Sequence, residues 1–263
     1  MLASRSQEAD QGWPPRSLAP VRTAVLLFGA AAVAWAVTVE RMRGMDAGPG
    51  TDLGGLGWYL GVWVTMTAAM MLPSAAPTAL VVARVSRGTA TVISTAGYLA
   101  VWTAYGLGAY ALFRLVTSFD TGWLDWDGSG PYVAGGAIAA AGIYELTPAK
   151  ERCLRRCRGR LECGGPNGGR LGPFRIGLAH GVYCVGCCFG LMVVLFALGV
   201  MSVLWMAVIA GVIFAEKVLP HGLRLPRAVA PALVLLGIWM AVWPSSVPGL
   251  TEPDRSPSMQ MEM

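Results

Sequence analysis

The chain has 263 residues, 55% hydrophobic and only 13% charged, with a mean hydropathy of +0.55. A soluble domain carries roughly 25% charged residues, so this chain has too little polar surface for a water-exposed globule, and its apolar content excludes disorder for the bulk. The net charge is +5, and the 34 glycines follow neither a collagen period nor a heptad. What remains is an all-α fold, a polytopic transmembrane helical bundle.

Residues 1–20 are polar, with Pro14, Pro15 and Pro20, and read as a disordered tail. Apolar runs follow at 21–39, 56–83, 92–116, 131–148, 176–199, 200–216 and 228–244. Each is near the ~20 residues that cross a bilayer core, so about seven spans are expected over 21–244. The fifth and sixth runs are nearly continuous, and a tight helical hairpin is expected at Gly199-Val200-Met201-Ser202. The sixth run is short enough to sit partly in the interface. The first run is not read as a cleaved signal peptide, because its polar lead is long and no convincing A-x-A site follows.

Seven spans sort the charges. The tail and the loops at 84–91, 149–175 and 217–227 fall on one side and hold 16 of the 20 basic residues. Only Arg41, Arg43, Arg114 and Arg255 fall on the other. The positive-inside rule then places the N-terminus in the cytoplasm and the C-terminus outside. The expected location is the inner (plasma) membrane. The loop at 117–130 carries Asp120, Asp125 and Asp127 with Trp123 and Trp126, and reads as a solvated loop with an interfacial aromatic anchor.

All six cysteines lie between residues 153 and 188. The topology puts them in the cytoplasm or the inner half of the bilayer, a reducing setting where structural disulfides are disfavoured and metal or redox chemistry is favoured. His180, Cys184 and Cys187 are at i, i+4 and i+7 on one helical face, with Cys188 beside them. Gly177 and Gly181, then Gly186 and Gly190, give GxxxG spacings that let a neighbouring helix approach the thiol face. Thiolate and imidazole suit Cu(I) and also Zn²⁺. The alternative is cysteine as a small buried hydrophobe.

The loop at 149–175 is basic. Pro148 can open a helix carrying Cys153 and Cys157 one turn apart. Lys150, Arg152, Arg155, Arg156 and Arg158 surround those thiols; they are expected to lower the thiol pKa values and favour thiolate, and to hold the helix on anionic headgroups of the bilayer. The alternative is a basic interfacial helix with incidental cysteines. Cys163 is the weakest ligand candidate.

Several stretches together resemble a known bacterial family, the predicted metal-binding integral membrane proteins catalogued as a domain of unknown function. They are Ala69-Met70-Met71-Leu72-Pro73, Gly97-Tyr98-Leu99-Ala100-Val101-Trp102 and Tyr144-Glu145-Leu146-Thr147-Pro148-Ala149-Lys150. Cys153-Leu154-Arg155-Arg156-Cys157, His180-Gly181-Val182-Tyr183-Cys184-Val185-Gly186-Cys187-Cys188 and Glu216-Lys217 complete the match, roughly over 56–220. The resemblance implies a helical membrane protein with a metal role, copper above all. The chain departs from that family at Glu145, where members usually carry Gln, and at Phe189, where they usually carry Trp.

Met66 and Met70 are i, i+4 in the second run, followed by Met71, Pro73 and Pro77. Thioethers bind Cu(I) without deprotonation, although methionine also fills gaps in cores. The two prolines are expected to kink the helix and free carbonyls beside a cavity. Outside, Met42, Met45 and the 245–263 tail with Met259, Met261 and Met263 would complete a thioether-to-thiol route. Glu145 needs a partner inside the bundle, with Lys150 or Lys217 as candidates, or else joins a metal site or a proton step. Glu216-Lys217 reads as an interfacial anchor.

No Walker A, H-E-x-x-H or G-x-S-x-G motif occurs, so ATP-driven transport by this chain alone and hydrolase chemistry lack support. Topology accounts for the basic loop, so nucleic acid is not an expected partner. The functional expectation is a non-enzymatic Cu(I) binder with ligands among Cys184, Cys187, Cys188, His180, Cys153, Cys157, Met66 and Met70. It would transport copper or hand it to a copper-receiving membrane protein. The rivals are a thiol oxidoreductase using Cys184 and Cys187, and a scaffold with inert cysteines.

Overall fold

The computed structural model describes residues 19–43, 54–85, 88–118, 129–158, 171–199, 202–219 and 225–247. Their regular structure is helical: α1 (Ala19–Met42), α2 (Leu56–Val85), α3 (Gly88–Ser118), α4 (Gly130–Glu145), α5 (Pro148–Arg158), α6 (Gly172–Leu198), α7 (Val203–Val218), α8 (Leu225–Val242) and a 3₁₀ turn at Pro244–Ser246. The seven apolar runs are therefore all helices, and the eighth helix is the basic one opened by Pro148. The acidic loop residues Asp120 to Asp127, Cys163, Met45 and most of both tails, with Met259, Met261 and Met263, lie outside the described residues.

Five helices are long and apolar enough to cross a membrane: Pro20–Met42, Leu56–Ala83, Thr89–Ser118, Gly172–Leu198 and Leu225–Val242. The other two apolar helices, α4 and α7, have 16 residues each. At ~1.5 Å per residue they reach about 24 Å, short of a ~30 Å hydrocarbon core.

Glycine sets the helix contacts. Small residues let helix backbones approach closely, and close packing then supplies the attraction. A Cβ at Gly177 would strike the Ser94 carbonyl, and one at Gly181 would meet Val101 at 2.8 Å. This pairing, with residue numbers rising together, makes α3 and α6 parallel. A Cβ at Gly135 would strike the Gly237 carbonyl and one at Gly142 would meet that of Ala230 at 2.9 Å, so α4 and α8 run antiparallel. Trp63 Nε1 donates to the Trp102 carbonyl at 2.8 Å, and Tyr59 packs on Tyr110 with ring centres 5.0 Å apart. That register makes α2 antiparallel to α3. Tyr144 donates to the Gly186 carbonyl at 2.7 Å, and Gly190 faces Ala141, so α4 also opposes α6.

The expected hairpin between the fifth and sixth runs is present. Gly199, at φ 101°, closes α6 in a conformation that L side chains rarely adopt, and Ser202 precedes α7. Contact between Lys217 and Cys184, which stand 15 residues after Ser202 and 15 before Gly199, shows that the two helices return antiparallel.

Pro73 and Pro77 lie inside α2, which runs as one helix over 30 residues. Lacking an N–H, they leave the carbonyls of Ala69 and Pro73 without their helical donors, and nearby Ser74 Oγ donates to the Met71 carbonyl at 2.9 Å. One expectation changes. Glu216 and Lys217 are not surface anchors: both are buried and turn inward, because each finds a buried partner of complementary chemistry.

Candidate metal centre

α5 is polar overall yet amphipathic. Lys150, Leu154 and Cys157 are buried, whereas Glu151, Arg152, Arg155 and Arg156 are exposed. The buried stripe lays α5 across α6, where Gly186 leaves room for the Cys153 side chain. Arg156 hydrogen-bonds the Tyr183 hydroxyl and sits over its ring, fixing the outer face of the same contact.

This docking brings Cys157 to α6. The sulfur atoms of Cys157, Cys184 and Cys187 all lie within 4.8 Å of one another, and all three residues are buried. At a metal–sulfur bond of ~2.3 Å, two sulfurs on one ion stand at most about 4.6 Å apart. The trio thus approaches metal-binding separation before any rearrangement. All three belong to the free cysteines.

Cys184 is the best-connected sulfur. Lys217 Nζ donates to it at 2.9 Å, and the Tyr98 hydroxyl lies 3.0 Å away. The same ammonium donates to Ser74 Oγ at 3.0 Å. A sulfur that faces an ammonium is held as an acceptor, the form in which cysteine binds metal. Cys187 donates to the Cys184 carbonyl at 3.2 Å and lies 3.6 Å from the Cys188 sulfur. Cys157, on α5, does not follow the expected lowering by its basic neighbours, because its contacts are with other thiols. Its hydrogen bond to Cys184 pushes the thiol up to about 12; a bond with Cys187 opposes the shift and burial adds to it. This thiol arrives protonated at neutral pH.

The remaining sequence candidates take other places. Cys188 borders the trio through Cys187. Cys153 is partly buried against Gly186. His180 is 3% exposed and shares a face with Cys184, but its ring packs tilted against Tyr98 with centroids 5.3 Å apart, and neither nitrogen has a hydrogen-bond partner. It also borders a space of about 20 Å³ between α1, α2, α3 and α6, room for one water. Met66 and Met70 are buried in the same core as the thiols, with Met71, Met192 and Met206.

Beside the thiols sits a buried ion cluster. Lys150 Nζ pairs with Glu145 and donates to Glu216 at 2.8 and 3.0 Å. Lys150 is therefore the partner of Glu145, and Lys217 is left for Cys184. One Glu145 oxygen, Oε1, has no hydrogen-bond partner.

Sequence reasoning did not reach Lys217, Tyr98 and Ser74 as surroundings of the thiols. Lys217 carried a usable signal, a lysine closing a strongly apolar run, which demands a buried partner. Tyr98 and Ser74 carried none of their own, since their roles arise from contacts 86 and 143 residues away in the chain.

The PpoB2 family, described as copper chaperone, matches residues 60–240, a range that holds the thiols, Lys217 and the ion cluster. No curated protein and no solved structure matches the chain. The chain belongs to the PpoB2 copper chaperone family.

Proposed function

We propose that this chain is a multi-pass inner-membrane protein that holds Cu(I) on buried thiols and passes it to a copper-receiving membrane protein. The observation that carries the reading is the convergence of Cys157 from α5 with Cys184 and Cys187 from α6. Cu(I) is soft and favours thiolate. Zn²⁺ is the second metal such a set would take. Cys188, Cys153 and His180 are the adjoining ligands, and Met66 and Met70 continue the sulfur-lined interior along α2.

Helix directions support seven traverses with the N-terminus in the cytoplasm. In an alternating chain α3 and α6 run the same way, whereas α2 opposes α3, and α4 opposes α6 and α8; the packed glycines, aromatics and hydrogen bonds are arranged so. α4 and α7 would then cross with little length to spare. Lys150, Arg152, Arg155, Arg156 and Arg158 sit at the thiol end, and Arg41, Arg43 and Arg114 at the other. By the positive-inside rule the thiols face the reducing side, with α5 on anionic headgroups.

A thiol oxidoreductase is the weaker reading. Exchange needs a thiolate that a partner disulfide can reach. Cys184, Cys187 and Cys188 are each 2% exposed or less. The reading of inert cysteines leaves the meeting of thiols from two helices unexplained.

The test is the metal content of protein purified under reducing conditions. Wild-type protein should carry near-stoichiometric copper, and Cys184→Ser or Cys157→Ser should lose most of it. Wild-type protein free of both copper and zinc after exposure to Cu(I) would sink the proposal.

A further inference from the structure

A cavity of about 280 Å³ opens where α4, α5, α7 and the start of α8 meet. Its lining includes Lys150, Arg155, Arg158 and Arg227, with Glu151 as an added carboxylate. Among the described residues no ion pair engages any of the three arginines. Arg158 Nε is buried and has no hydrogen-bond partner. Lys150 is already held by Glu145 and Glu216. Four cations against three carboxylates leave one unbalanced positive charge around the cavity.

Glu145 and Thr147 also line the cavity, and the rest of the wall is apolar. Leu146 and Leu219 line it and are themselves exposed, and they continue along α4 and α7 into exposed Ile143 and Val218. A guanidinium-lined recess opening onto an apolar strip matches a molecule with a phosphate at one end and hydrocarbon at the other. Guanidinium binds phosphate oxygens in pairs, and one phosphodiester supplies the single negative charge that is lacking.

We infer that this cavity is a phospholipid site, in which Arg155, Arg158 and Arg227 hold the phosphodiester of one headgroup and Leu146 and Leu219 receive the start of its acyl chains. The inference rests on the membrane reading above, but not on the identity of the metal. It differs from general attraction of the basic helix to a charged surface, because it assigns the lipid to particular arginines. α5 closes the cavity with Leu154 and Arg158 while Cys157 of the same helix joins the thiol trio. A bound headgroup therefore braces the helix that supplies the third sulfur.

The test compares Arg155→Gln/Arg227→Gln with Arg152→Gln in detergent-purified full-length protein. Arg152 is exposed on α5 and does not line the cavity. Phospholipid retained per chain, measured by native mass spectrometry after adding phosphatidylglycerol, should fall about tenfold or more in the double variant, given what charge-assisted hydrogen bonds contribute. It should hold in Arg152→Gln. The Arg155→Lys/Arg227→Lys protein keeps the charge and guards against misfolding; it should retain an intermediate amount, because an ammonium does not bridge two oxygens. Equal retention in the double Gln variant and Arg152→Gln would reduce the effect to general charge attraction and overturn the assignment. So would inorganic phosphate that binds and raises the melting temperature while phosphatidylglycerol does not, which would make this a free-anion site. Alkaline carbonate extraction separates the two failures: release of the protein from membranes defeats the membrane reading, whereas firm retention with indifferent lipid binding defeats only the cavity.

Discussion

Lys217 Nζ stands 2.9 Å from Cys184 Sγ, a contact between two buried side chains on the two arms of the α6–α7 hairpin. An ammonium beside a sulfur does two things in a dry interior. It holds the sulfur as an acceptor, and it offsets the negative charge that a metal–thiolate unit leaves behind.

Replacing that ammonium should therefore weaken metal binding. Lys217→Met keeps the volume and removes the charge. A hydrogen bond to a charged group contributes ~1.5–3 kcal/mol, so Cu(I) affinity should drop about tenfold to a hundredfold. Competition with a Cu(I) chelator measures it. An unchanged Kd would remove Lys217 from the site.

Acid should release the metal. Cys157 has its thiol pushed up to about 12, so the empty site keeps this proton throughout the neutral range, and a metal that binds the sulfur must expel it. The proton is thus bound in the empty form and absent in the loaded one, and apparent affinity rises with pH by about tenfold per unit for each proton expelled. Log Kd plotted from pH 6 to 8 should lose about one unit of slope in Cys157→Ser. Parallel plots for the two proteins would contradict a Cys157–metal bond.

The ion cluster makes a stability prediction. Lys150→Met leaves Glu145 and Glu216 facing each other in a buried site. Removing one partner of a buried pair costs about 3–5 kcal/mol. The variant should lose most of its folded yield, and adding Glu145→Gln with Glu216→Gln should restore much of it. Size-exclusion profiles and thermal aggregation midpoints report both effects; a single variant as stable as wild type would show that the carboxylates do not need this lysine.

Helix packing gives a paired test. At Gly177 a methyl group would run into the Ser94 carbonyl, whereas at Gly136 it would meet nothing within 4 Å. Gly177→Ala should destabilise by ~1–3 kcal/mol through forced separation of α3 and α6. Gly136→Ala should be neutral or stabilising, since alanine favours helix over glycine by ~1 kcal/mol. Comparable melting temperatures for the two variants would discount the α3–α6 contact.

Local chemistry explains what was readable in advance. Each apolar run announced a helix, and Pro148 and Gly199 announced where α5 begins and α6 ends, because these are rules about neighbouring residues. The helical face of His180, Cys184 and Cys187 was equally plain. What spacing did not convey is that Cys157, not His180, comes to lie among the other two sulfurs. That follows from α5 folding back over α6, a tertiary event settled by buried Leu154 and the recess at Gly186. Lys217 was misread for a related reason: a lysine at a helix end looks like an anchor until the opposing helix reveals a sulfur.

The contact between Ser74 and Lys217 spans 143 positions of the chain. Cys157 and Cys184 meet through a short intervening segment, so the α5–α6 pair can assemble as soon as it is made. The charged side of the pocket cannot, because closing so long a loop waits until α7 has been synthesised and has packed against α2. A nascent chain thus holds its sulfurs before it holds the counter-charge for a thiolate-bound ion, so on the proposed function tight metal capture would wait until α7 is made and packed.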